Sequence, residues 1–99
     1  MTVRIIAIKT LKEFWKKYPD SEQPLRAWYS EAINADWKKP NDITKYYRTA
    51  SILSSNRVVF NIKGNDYRLI TTINYDYKIV YIRFIGTHKE YDRINAEDI

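Results

Sequence analysis

Four side chains in the C-terminal half of the sequence carry chemistry that an anion would answer to. Arg68 and Arg83 stand inside two β-branched runs, and His88 and Tyr91 stand in the polar motif Thr87-His-Lys-Glu-Tyr-Asp92. A guanidinium can hold two phosphate oxygens at once. Imidazole is the side chain whose ordinary titration lies near neutrality, and His88 is the only histidine, so it is the candidate general acid or base. Tyr91, three residues on, shares a side with it if the motif forms a helical turn. Asn61, Lys63 and Lys89 complete the set of polar residues that could contact an anionic strand.

Three strand-like runs must position these groups: Arg57–Lys63, Asp66–Asn74 and Tyr77–Ile85. Gly64-Asn65 is a two-residue hairpin signal, which sets Asn61 opposite Arg68 and Val59 opposite Ile70. A similar loop at Tyr75-Asp76 would set Ile70 opposite Tyr81 and Arg68 opposite Arg83. Alternation then predicts one apolar face, with Val58, Phe60, Ile62, Tyr67, Leu69, Thr71, Ile73, Val80, Ile82 and Phe84. The other face groups Asn61, Lys63, Arg68 and Arg83 among Val59, Ile70, Thr72, Ile79, Tyr81 and Ile85. Two arginines directly opposite one another repel, and an anion between them would relieve the repulsion. The competing reading is that they reach sideways to carboxylates or snorkel to water.

The first half supplies the cover for the apolar face. Val3–Ile8 reads as a strand. Thr10 and Glu13 spell a capping box for a helix to Tyr18, with Leu11, Phe14, Trp15 and Tyr18 on one stripe. Pro19 stops it. A second helix, Ser21 to Asn34, carries Leu25, Trp28, Tyr29, Ala32 and Ile33 at helical spacing. Trp37 is a candidate anchor for the segment 35–55, in which Asp42–Tyr47 reads as a helical turn and Ser51–Ser55 as loop. His88–Asp92 reads as one more helical turn, and Asn95–Ile99 as a fraying end. The expected fold is α+β, in the order β-α-α-β-β-β: two N-terminal helices on one face of a mainly antiparallel four-stranded sheet, with residues 1–99 forming one domain.

Composition narrows the function classes. The 99 residues contain no cysteine, which fits a reducing compartment and removes thiolate metal sites; one histidine rules out a multi-histidine site. No apolar run approaches the length of a membrane span, so the expected location is cytoplasmic, with no membrane partner. The net charge of +5 suggests an anionic partner, and nucleic acid is the commonest. Nine tyrosines and three tryptophans could stack on unpaired bases, although a small core would use most of them.

The strand face and its motif together resemble a known family. The runs Phe60-Asn-Ile-Lys-Gly-Asn65, Arg68 and Thr87-His-Lys-Glu-Tyr-Asp92 resemble the HigB toxins, RelE-like messenger-RNA endonucleases of toxin–antitoxin pairs. The resemblance implies a RelE-like domain that cuts translated mRNA on the 70S ribosome. It also implies neutralisation by a HigA-like helix-turn-helix antitoxin, with operator DNA bound only through the antitoxin complex. Metal-independent cleavage by a ribose 2′-OH needs a base, cations for the phosphorane and an acid for the leaving oxygen. On that scheme Arg68, Arg83, His88 and Tyr91 are catalytic, Asn61, Lys63 and Lys89 bind RNA, and no cofactor or metal is required. Two other classes share the basic face: a nucleic-acid-binding module without catalysis, and a domain that binds an acidic protein.

Overall fold

The computed structural model describes residues 3–99. The chain enters on a short strand, β1 (Arg4–Ile6), and turns at once into helix α1 (Ile8–Lys17). The turn is made by Ala7 in the left-handed region, φ 73°, and Thr10 donates its backbone N–H to Ala7 at 3.0 Å. Thr10 is thus inside the helix, and the Thr10/Glu13 capping box is not used. A 3-10 turn at Pro19–Ser21 leads to α2 (Glu22–Ile33), followed by α3 (Pro40–Tyr46). The second half holds β2 (Ser51–Ile52), β3 (Arg57–Ile62), β4 (Tyr67–Asn74), β5 (Ile79–Thr87) and α4 (His88–Asp92).

The sheet has five strands in the order β1-β5-β4-β3-β2, with β1 parallel to β5 and the other pairs antiparallel. The strand beyond the expected four is β2, which lies in a stretch read as loop. Only two residues pair there, Ser51 with Val59 and Ile52 with Val58, too few to show as a periodic pattern.

The two helices cover one face of the sheet, as their stripes require. Leu11, Phe14, Trp15, Leu25, Trp28 and Ala32 pack against Val58, Phe60, Ile62, Leu69, Ile73, Val80 and Ile82. Each such large side chain, fully buried, contributes about 1.5–3 kcal/mol. Trp37 stacks on Phe60 at 6.0 Å and anchors the segment before α3, as expected from sequence. Among the described residues, no helix is long and apolar enough to cross a membrane.

The register of the first hairpin follows the sequence reading: Asn61 pairs with Arg68 and Val59 with Ile70. That of the second does not. Asn74 pairs with Ile79, so the loop has four residues, and the Asn74 side chain accepts the Tyr77 N–H at 3.0 Å to close it. Further along, a bulge between Ile70 and Thr71 shifts the ladder again. Thr71 opposes Ile82, Ile70 opposes Phe84, and Arg68 opposes Gly86 rather than Arg83. The extra residue flips alternation. Ile85 therefore joins the helix-covered core, and Phe84 moves to the opposite face.

That opposite face is less open than its sequence implies. Val59 and Ile70 form a small second core with Phe84, Leu53, Tyr91, Ile94 and Ala96. The C-terminal segment expected to fray is docked on it: Arg57 Nε donates to the Ile99 carbonyl at 3.1 Å, and Ser54 Oγ to Glu97 at 2.5 Å.

Candidate active site

The site is built where β5 runs into α4, beside the β3–β4 hairpin. Thr87 caps α4. Its hydroxyl accepts the Glu90 N–H at 3.2 Å, and Glu90 Oε1 accepts the Thr87 N–H at 2.8 Å, a complete capping box. The His88 N–H donates to the Asp66 carbonyl at 3.0 Å and ties the helix to the hairpin loop. These three bonds fix where His88 and Tyr91 stand.

Arg68 lies mid-face, with Asn61 opposite on one side and Gly86 on the other. Its Nη1 donates to the Asn65 carbonyl at 2.9 Å, and its guanidinium carbon sits 5.6 Å from the centre of the Tyr91 ring. The loop carbonyl and the ring hold the group from two directions and leave most of its five N–H donors unused. Gly86 is needed beside it: a Cβ there would come within 2.4 Å of the Phe84 ring and 3.1 Å of Glu90 Oε1.

His88 Nδ1 lies 3.0 Å from Asp92 Oδ2, one helical turn away. A carboxylate on one imidazole nitrogen fixes the ring's orientation and directs the other nitrogen outward. The pair is half-exposed, so its electrostatic contribution to stability is screened, and its consequence is orientation.

The remaining expected residues divide. Asn61 Nδ2 reaches the Thr49 carbonyl at 3.4 Å. Lys63 pairs with Asp20 at 3.0 Å and Asp66 at 3.2 Å, so it ties the hairpin to the turn between α1 and α2. Asp20 also accepts the Tyr67 hydroxyl. That bond, then Lys63, holds the Asp20 carboxyl below its usual range, and Asp20 pushes the Tyr67 hydroxyl up to about 12. Lys89 is exposed on α4. Arg83 is not part of this group. It lies three residues along β5 from Gly86, roughly 10 Å, with Ile70 and Phe84 between.

Three contributors were not singled out from sequence. Asp92 was signalled by its i, i+4 spacing from His88, and the Thr87/Glu90 box by its Thr-x-x-Glu spelling. Gly86 had no legible signal, because its need arises from the Phe84 ring, which the bulge turns to its own side of the sheet.

Fold and site define a class: a small basic α+β domain of the RelE-like kind, with α1 and α2 on one sheet face and a cationic cluster on the other. Within that class, a family described as HigB toxin, RelE-like toxic component of a toxin–antitoxin system, matches residues 21–94, and the chain belongs to that family. It is 29% identical to an mRNA interferase toxin HigB of Escherichia coli (strain K12), over 95% of this chain and 92% of the relative. The same identity and coverage hold for an mRNA interferase HigB of Shigella flexneri. A further mRNA interferase HigB, from Escherichia coli O6:H1 (strain CFT073), is 27% identical over 93% of this chain and 91% of its own length.

Proposed function

We propose that this protein is the toxin of a toxin–antitoxin pair and cleaves mRNA by metal-independent attack of a ribose 2′-OH on the adjacent phosphorus. The observation that carries the reading is the convergence of Arg68, Tyr91 and the His88–Asp92 pair at one end of the cationic face. The 2′-oxygen loses its proton and bonds to phosphorus, the P–O5′ bond breaks, and the 5′-oxygen takes up a proton. Arg68 holds the non-bridging oxygens as charge builds on them. The outward nitrogen of His88 moves a proton, with Asp92 holding the ring in place. Tyr91 supports Arg68 and offers a hydroxyl beside it. Asn61, Lys63 and Lys89 contact the strand on either side; Lys63 uses two of its three N–H donors on carboxylates and keeps one.

An isolated His–Asp pair and one arginine make a modest catalyst for flexible RNA. Positioning of the strand by the 70S ribosome supplies the missing part, an effect that can reach roughly 7–11 kcal/mol. Family membership supports an antitoxin partner, proposed here as a HigA-like helix-turn-helix protein that also carries the complex to operator DNA. The reaction takes place in the cytoplasm.

Primer extension on one message, translated and untranslated, tests the reading, beside growth curves with and without the neighbouring antitoxin. Cuts in the translated message alone, with growth arrest relieved by the antitoxin, are expected. Uncut RNA and unimpeded growth at high levels of folded protein would refute it.

A further inference from the structure

The bulge in β5 leaves Arg83 as the unpaired residue between Ile82, opposite Thr71, and Phe84, opposite Ile70. A bulge bends its strand and re-aims the side chain it carries. Arg83 is aimed away from Arg68: its Nε donates to Thr72 Oγ1 at 3.0 Å, and its guanidinium carbon lies 5.7 Å from the centre of the Tyr81 ring. There it lines an open basin of about 520 Å³, together with Lys38, Asn56, Asn74 and Tyr81. That volume is in the range of small-ligand sites. Two cations and a single carboxylate, Asp76, line it. Lys38 is three-quarters exposed and only loosely paired, 3.8 Å from Asp36, whose closer partner is Lys78 at 2.9 Å. Asn74 spends its carbonyl oxygen on the Tyr77 N–H and keeps its NH₂ to donate.

We propose that this basin is a second RNA site, which holds one nucleotide flanking the cleaved bond. Lys38 and Arg83 take its phosphate, and the Asn56 and Asn74 amides take the edge of its base. Side-chain amides suit that edge, where unpaired bases are read: Asn74 donates through its NH₂, and the Asn56 amide offers both a donor and an acceptor. Arg83 then places and selects the strand without touching the reacting phosphorus. The inference rests on the reading of Arg68 and His88 as the cleavage centre.

The test is an NMR titration of the full chain with a 2′-O-methylated tetraribonucleotide, which binds but cannot be attacked. Two sets of signals should move: the backbone amides of Gly86 and His88, and the side-chain amides of Asn56 and Asn74. Arg83→Ala should abolish the second set and keep the first, and should lower the salt slope of binding by about 0.7, the value of one single-strand phosphate contact. Arg83→Lys should preserve the slope and serves as the folding control. In translation-dependent cleavage, Arg83→Ala should raise the half-saturating ribosome concentration and redistribute the cut positions, with the saturating rate retained. If Asn56 and Asn74 stay still while Gly86 and His88 move, the basin is not a site and the cleavage reading survives. If Arg83→Ala silences both sets, or lowers the saturating rate as loss of Arg68 does, Arg83 belongs to the cleavage centre. If neither set moves, the RNA reading itself fails and this inference with it.

Discussion

The Arg68 guanidinium carbon lies 5.6 Å from the centre of the Tyr91 ring, and that ring is at the same time part of the small core with Val59, Ile70 and Ala96. Tyr91 thus joins a half-buried cation to a buried cluster, and its ring and its hydroxyl can be separated by mutation. Tyr91→Phe keeps the ring, so it should melt like wild type; any loss of cleavage then measures the hydroxyl. Tyr91→Ala removes the ring from a packed cluster and should lose roughly 1–3 kcal/mol of stability as well as most activity. Thermal melts and single-turnover rates on both variants check this. A Tyr91→Phe protein that is unstable would place the hydroxyl in the fold.

His88 and Asp92, 3.0 Å apart, should behave as one unit. His88→Ala is expected to abolish detectable cleavage while leaving RNA binding within a few-fold. Asp92→Ala should lower the saturating rate, because the imidazole loses its orientation. The double variant should be no worse than His88→Ala alone, since effects within a unit do not add. Rates that fall by the product of the two single losses would show independent roles.

Gly86→Ala should destabilise the domain by about 1–3 kcal/mol, because the new methyl overlaps the Phe84 ring. Phe84→Leu in the same chain should restore part of that loss by making room. A urea melt of wild type and the two variants measures both; an undisturbed Gly86→Ala would mean that the ring moves aside freely.

The Asp20–Tyr67–Lys63 cluster gives a pH prediction with two signs. The Asp20 carboxyl is held below its ordinary value of 3.8, so its contribution to stability is present above that pH and is lost as the pH falls through the lowered value. The Tyr67 hydroxyl is raised from 10.0 to about 12, so its contribution is present below pH 10 and is lost between there and about 12. Tyr67→Phe should remove the Tyr67 part of the alkaline dependence and let the Asp20 titration rise toward its ordinary range. NMR titration of the Asp20 carboxyl carbon reads this directly, and an unmoved Asp20 would contradict the assignment.

What the sequence made legible follows the strength of its local signals. The β3–β4 register could be read because Gly64-Asn65 leaves little choice of turn, and Gly64 does adopt φ 64°. The stripes of α1 and α2 and the helical turn at His88–Asp92 were equally plain. That Arg68 faces Gly86 and not Arg83 was not recoverable. The run Tyr81-Ile-Arg-Phe-Ile85 alternates as well with a bulge as without one, and only the opposite strand decides. For the same reason Phe84 and Ile85 were assigned to the wrong faces. The docking of Asn95–Ile99 rests on contacts with Arg57 and Ser54, some forty residues away, which no local pattern announces.

The central claim is that Arg68 serves the phosphorane and is not a structural arginine. It is tested by single-turnover cleavage on programmed ribosomes, measured beside a thermal melt, for wild type, Arg68→Ala and Arg68→Lys. The account predicts a loss of about 10²–10³ in rate for Arg68→Ala with the melting temperature nearly unchanged. Partial rescue by Arg68→Lys is expected, since one ammonium cannot make the two-pronged contact. An Arg68→Ala protein that melts early yet cleaves at the wild-type rate would contradict it.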